Sequence, residues 1–383
     1  MSPLSNVRVV EFCQIAAGPF CGMLLADLGA DVIKVEHPDG GDGMRNWPPF
    51  NEGFSENFAS LNRNKRSVAL DLKFPEGLAA ARALALSADV VLENFRPGVM
   101  EKLGLGYPAL AAGKPSLIYC SISAFGQDGP RARQGGFDLT IQAIAGVMSV
   151  TGEPDGPPAK CGVPISDFSA GLYAANGVQA ALLAVRAGQP GCHVDVSMQG
   201  ATLGVAALQT SEYFGNRRDP ERLGSAHPRN APYQAFQAAD GFFAMAAGND
   251  RLWQTVCRLL GDQALAEDPR FASTALRAAN QDALKVLIEA HFAEKPAAHW
   301  LEVFAEAGVP SAPINGYGAA LADPQVAHGG LVAPLDLPGG GASETVVLPL
   351  RFGGARPGVR RRPPALGEHT EEVLAELSTP HGG

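Results

Sequence analysis

Along the first 125 residues, short apolar runs alternate with amphipathic stretches. The runs at 7–12, 31–36, 67–72, 89–94 and 116–123 are rich in β-branched side chains. That is the pattern of strands buried on both faces of a largely parallel sheet. Between the first two runs, Gly18-Pro19 opens an apolar stretch over 20–28 that Gly29 closes. The spacing predicts a helix with Pro in its first position and Gly just past its end, so residues 7–36 read as a βαβ crossover. Residues 167–185, dominated by Ala, Gly and Leu with Asn176 and Gln179 as polar breaks, predict a helix buried within the domain, and 193–198 predicts another strand.

The texture changes over 215–232, where Arg217, Arg218, Asp219, Pro220, Arg222, Pro228 and Arg229 crowd together with little apolar content. Such a stretch predicts an exposed linker and a domain boundary. Beyond it, a strand at 242–246 and helices at 250–260, 274–292 and 297–307 predict a smaller α+β domain. A strand over 345–352 and a helix over 368–377 are placed to return to the first domain. Two cores suit a chain of 383 residues that is 46% hydrophobic.

Charge and cysteine usage narrow the chemistry. A net charge of -9 argues against general nucleic-acid binding, which needs a surplus of Lys and Arg, so a polyanionic ligand must meet a local basic patch. The six cysteines form no CxxC pair and no zinc-like spacing with His, which predicts reduced thiols, no metal site and no disulfide framework. The opening residues carry no signal-peptide pattern, and no uninterrupted apolar segment has the length of a membrane span, so a soluble cytoplasmic protein is expected. The first βα turn reads QIAAGPFCG over 14–22 and lacks the GxGxxG spacing that cradles a dinucleotide pyrophosphate. A Rossmann-like topology is expected without an NAD activity.

Asp167 stands where a loop meets the apolar helix, in Pro164-Ile165-Ser166-Asp167-Phe168-Ser169-Ala170-Gly171. Its ordinary role there is an N-cap. The same geometry also suits catalysis, because free N–H groups and the positive helix end keep a carboxylate ionised and stabilise an oxyanion beside it. The basic side chains Arg63, Lys65, Arg66 and Lys73 form either a solvated face or a docking patch for a phosphorylated ligand. Glu93-Asn94-Phe95-Arg96-Pro97-Gly98 lies at the carboxyl end of an expected parallel strand, where α/β sheets present ligand loops, and is equally compatible with a helix-starting turn. His227, His37 and His369 have no visible catalytic partner and read as locally hydrogen-bonded histidines, and no nucleophile elbow is present.

Taken in order, several blocks resemble the family III CoA-transferases, the CaiB/BaiF family, which includes formyl-CoA transferase and, as a divergent branch, α-methylacyl-CoA racemase. They are Ala17-Gly18-Pro19, the run from Leu25 to Glu36, Asn64-Lys65-Arg66-Ser67 with Leu70-Asp71-Leu72-Lys73, Glu93 to Gly98, Ser166-Asp167-Phe168, and Leu366-Gly367-Glu368-His369-Thr370. The resemblance implies an α/β fold with a Rossmann-like large domain formed by both chain ends, over 1–215 completed by 335–383. A smaller α+β middle domain would occupy 216–334, and two chains would interlock as a homodimer. It further implies that Asp167 is the nucleophile of a CoA transfer passing through an aspartyl-CoA thioester. Acyl-CoA and small carboxylic acids would be the substrates, with no tightly bound cofactor and no metal. Contacts to CoA are implied at Ala16, Ala17, His37, Leu70, Asp71, Leu72, Lys73, Asn94, Phe95, Arg96, Lys102 and Gln134 to Phe137.

There are departures from formyl-CoA transferase. Ala16 replaces its glutamine, His37 and Lys102 replace arginines, and its glycine-rich shielding loop is not recognisable after Leu223. The segment from His227 to Phe236 is more similar to members that use dicarboxylic acids such as succinate or glutarate. In the racemase branch a histidine stands at the position of Phe137, which cannot exchange a proton, so transfer is favoured over racemisation. An acyl-CoA racemase or epimerase, a CoA-ester hydrolase and a non-catalytic acyl-CoA binding protein remain as alternatives.

Overall fold

A computed structural model describes residues 2–378, which fold into two compact units. The first comprises 2–147, 161–217 and 324–378, the second Met148–Lys160 and Arg218–Asp323.

The first unit is built on six parallel strands, β1 (Arg8–Phe12), β2 (Asp31–Glu36), β3 (Lys65–Ala69), β4 (Val90–Glu93), β5 (Ile118–Ser123) and β6 (His193–Ser197). Their spatial order is β3-β2-β1-β4-β5-β6, that of a doubly wound nucleotide-binding sheet, with the order reversing between β1 and β4. Alternation along each strand sends apolar residues to both faces of the sheet. Val9, Val32, Leu92, Cys120 and Ile122 pack into one core with α1 (Ala17–Asp27) and α4 (Ile165–Arg186). Val10, Phe12, Ile33, Val91 and Tyr119 pack into another with α2 (Pro75–Ser87). Between α2 and α4 runs the short helix α3 (Asp138–Ile144). After β6 come α5 (Met198–Val205) and α6 (Ala207–Asn216).

Helix α1 begins two residues before the expected start, so Pro19 occupies its third position instead of its first, while Gly29 (φ +114°) ends it as expected. The 22-residue α4 is long and apolar enough by composition to cross a bilayer, contrary to the expectation from uninterrupted apolar runs. It packs instead against α1, β5 and β6. The chain end closes the second core: Val373 of the C-terminal helix Thr370–Ser378 is fully buried, and Thr370 and His369 accept backbone N–H groups of β3.

The second unit carries a three-stranded antiparallel sheet, β9-β8-β7, made of β7 (Tyr233–Ala238), β8 (Gly241–Ala246) and β9 (Ser311–Pro313). Helices α7 (Asp250–Leu260), α8 (Gln281–Phe292) and α9 (Ala297–Glu306) cover it around Phe236, Phe243, Phe292 and Phe304. The helix expected over 274–292 is broken at Asn280 into Thr274–Ala279 and α8. The units change at 217/218 and 323/324, against the expected 215/216 and 334/335, and 148–160 joins the second unit although the sequence reading placed it in the first. Arg222 explains this, because its guanidinium donates to the carbonyls of Glu153, Pro154 and Gly156.

Candidate functional site

Where the strand order reverses, the loops after β1 and β4 diverge and leave a crevice, the position at which open α/β sheets bind ligands. A cavity of about 250 Å³ opens there. Its walls are residues 14–17 after β1, 94–97 after β4, 122–124 at the end of β5 and 134–137 before α3, together with Asp167 and Met198.

Asp167 is the third residue of α4, not its N-cap; the cap position belongs to Pro164, which offers no side-chain acceptor. The capping role falls to Asp138. One of its carboxylate oxygens accepts the Ser166 N–H at 2.9 Å, and the other accepts the Gln142 side-chain amide at 2.7 Å. Asp167 is thereby left partly buried with no hydrogen bond to its carboxylate among the described residues. Burial, and secondarily the negative charge of Asp138, push its pKa from 3.8 up to about 7. The expectation that helix N–H groups hold it ionised is overturned: the carboxylate is high in energy and unpartnered, which favours nucleophilic attack once the proton is lost. Its place beside α1 is set by Gly171, one turn on, where a Cβ would lie 2.8 Å from the Ala17 carbonyl and 2.8 Å from the Phe20 ring. Phe20 and Phe168 meet across this contact with ring centroids 4.7 Å apart.

The cavity gathers Ala16, Ala17, Asn94, Phe95, Arg96 and Phe137 around Asp167. Glu93, pushed up to about 7 by burial, accepts the Phe95 N–H at 2.8 Å and fixes the turn that carries Arg96. The Arg96 guanidinium is exposed, makes no ion pair among the described residues, and lies against Gly135, where a Cβ would come within 2.8 Å of Nη2. His37, Leu70, Asp71, Leu72, Lys73 and Lys102 do not line this cavity. They follow the carboxyl ends of β2, β3 and β4, and His37 Nε2 lies 3.6 Å from the Asp71 carboxylate.

The basic run fails as a docking patch except at Lys73, because its other members are spent inside the fold. Arg63 pairs with Asp27, Lys65 with Glu11, and Arg66 with Asp31, Glu372 and Glu376. His227 Nδ1 accepts the Arg229 and Asn230 N–H groups, and His369 Nδ1 accepts that of Ser67, so both are locally engaged. No cluster of His, Cys, Asp or Glu among the described residues is arranged to hold a metal. Sequence reasoning missed Gln14, Ile15, Ser123 and Met198 in the cavity wall. It also missed Glu11 and Lys34 beneath it, although each is a charged residue inside an otherwise apolar strand.

A family model for CoA-transferase family III matches residues 4–370. The chain belongs to CoA-transferase family III. Among curated relatives of this CoA-transferase, the succinate–glutarate CoA-transferase of Agrobacterium fabrum is 42% identical, the alignment covering 98% of this chain and 96% of the relative. The succinyl-CoA:mesaconate CoA-transferase of Haloarcula hispanica is 37% identical, covering 100% and 98%. A solved CaiB/BaiF family protein from Brucella suis superposes with a TM-score of 0.87 at 42% identity, covering 98% of this chain and 99% of that one. As a family III enzyme the protein transfers CoA from an acyl-CoA thioester to a carboxylic acid.

Proposed function

We propose that Asp167 is the covalent nucleophile of this transfer and that a dicarboxylic acid is among its substrates. The observation that carries the reading is the unpartnered, partly buried Asp167 carboxylate opening into the cavity at the sheet's switch point. An Asp167 oxygen attacks the thioester carbonyl, the C–S bond breaks, and CoA thiolate leaves a mixed anhydride. The thiolate then attacks the aspartyl carbonyl, the donor acid departs as a carboxylate, and an aspartyl-CoA thioester remains. An incoming carboxylate reverses the two steps. One thioester replaces another, so the exchange is nearly isoenergetic, and the site's task is to align groups, exclude water and stabilise two oxyanions. Arg96, the exposed cation in the cavity wall, suits the phosphates of CoA. The dicarboxylate reading rests on the names of the succinate–glutarate and succinyl-CoA:mesaconate relatives.

Association of two chains as an interlocked homodimer belongs to the same proposal. Leu172, Leu183, Leu208 and Phe214 on α4 and α6 are each more than half exposed in the single chain, an apolar surface that a second copy would cover. Sedimentation of an active monomer at assay concentration would refute the dimer.

The nucleophile is tested by intact-mass analysis after incubation with succinyl-CoA and hydroxylamine, in parallel with a screen of glutarate, succinate, mesaconate and oxalate as acceptors. A hydroxamate should form on the wild-type protein and not on Asp167→Ala. Trapping that persists in Asp167→Ala refutes the assignment.

A further inference from the structure

Beneath the loop that forms one cavity wall lies a buried charge network that the transfer chemistry itself does not require. Lys34 in β2 stands beside Glu11 in β1 in parallel register, and the side chains of both are fully buried. Lys34 Nζ lies 3.2 Å from Glu11 Oε1 and 2.9 Å from Asp42 Oδ2, and it donates to the Cys13 carbonyl at 2.7 Å. Asp42 is 1% exposed. Its carboxylate accepts the Ile15 N–H through both oxygens, at 3.0 and 3.2 Å, and the Met44 N–H at 3.0 Å. On the other side, the Asn94 side chain brackets Gln14, accepting its N–H and donating to its carbonyl, both at 2.9 Å.

Ile15, a β-branched residue, is held at φ +67°, in the left-handed region. For such a side chain this conformation costs on the order of 1–3 kcal/mol and persists only where the surroundings over-determine it. Capture of the Ile15 N–H by a buried carboxylate holds the backbone in that turn. With Cys13, Gln14 and Ile15 all fastened, the N–H groups of Ala16 and Ala17, at the uncapped start of α1, have no acceptor among the described residues, and both residues line the same cavity as Asp167.

We infer that Asp42, with its charge matched by Lys34, is a positioning residue for CoA transfer that holds the 14–17 wall, and with it the free N–H groups at the start of α1, in register with the reacting centre. The inference rests on this cavity being the site of transfer. The strain at Ile15 is then part of the site: the loop is kept in one conformation before substrate arrives, so no reorganisation is needed as negative charge develops.

The test is Asp42→Asn, which keeps the volume and removes the charge, alone and combined with Ile15→Gly, since glycine adopts φ +67° without help. Expected for Asp42→Asn are a fall in kcat of about 10- to 100-fold, a KM for acyl-CoA changed less than about threefold, and faster hydrogen exchange at the bonded amides of Gln14, Ile15 and Met44. Adding Ile15→Gly should recover part of the lost kcat. Wild-type kcat in folded Asp42→Asn overturns the proposal, and so does a loss of kcat with the Gln14 and Ile15 amides still as protected as in wild type. Should Asp42→Asn fail to fold, exchange in the native protein decides. The Ile15 amide should be as protected as those of β1, and exchange at the rate of an open loop overturns the proposal. Failure of the nucleophile reading would show separately, as turnover retained by Asp167→Ala.

Discussion

Replacing Asp167 by Asn should separate its chemical role from its energetic one. Burial and the nearby charge of Asp138 raise the carboxyl pKa from 3.8 to about 7 in the folded protein. Between those values the native state holds a proton that the unfolded chain has released, so stability falls as pH rises through that window and levels off above about 7. The displacement corresponds to about 4 kcal/mol at alkaline pH, which partial solvent access and relaxation reduce to about 2 kcal/mol. Asp167→Asn, similar in volume and uncharged, escapes that loss. At pH 8 its thermal midpoint should exceed the wild type's by several degrees, whereas at pH 4 the two should nearly coincide. Turnover should fall by about a thousandfold or more, because an amide cannot form the anhydride. In the wild type, the same ionisation requires kcat/KM to fall as pH drops below about 7. The assay is scanning calorimetry of both proteins at one protein concentration across pH 4–9, with steady-state transfer on the same samples. A variant no more stable than wild type at pH 8, or a gain that persists at pH 4, would refute the claim that the folded site disfavours the ionised carboxylate.

Two further outcomes concern Arg96 and Gly171. Arg96→Ala should raise the KM for acyl-CoA about tenfold with kcat nearly unchanged, and added salt should weaken the wild type more than the variant, as titration of initial rates against ionic strength would reveal. Gly171→Ala places a Cβ 2.8 Å from the Ala17 carbonyl and should cost about 1–3 kcal/mol by forcing α4 away from α1, lowering both the unfolding midpoint and kcat. An unchanged midpoint would mean that the two helices do not need this contact.

Much of the first unit was legible because parallel strands covered on both faces are apolar at most positions, a local signal that survives without knowledge of partners. The same logic failed for β7 and β9, which the sequence reading left unassigned. Their mixed residues become strands only by pairing with β8. The break at Asn280 was equally invisible, since periodicity continues across it and only the backbone reveals that the helix restarts.

The ordered sequence blocks pointed to the family and to Asp167, and the acidic composition limited what the surface can bind. What tertiary structure alone decided is which charges are available. The basic run over 63–66 looked exposed by composition, yet strand pairing and the returning C-terminal helix bring Asp27, Glu11, Asp31 and Glu376 against it and consume it in ion pairs. Asp167 looked like a satisfied helix cap, yet Asp138, 29 positions earlier in the chain, takes the helix N–H and leaves Asp167 without one. A charge in water is indifferent to such distant neighbours. Inside a folded protein, where few waters remain to compensate it, its protonation and reactivity are set by whichever groups the topology brings within hydrogen-bonding distance.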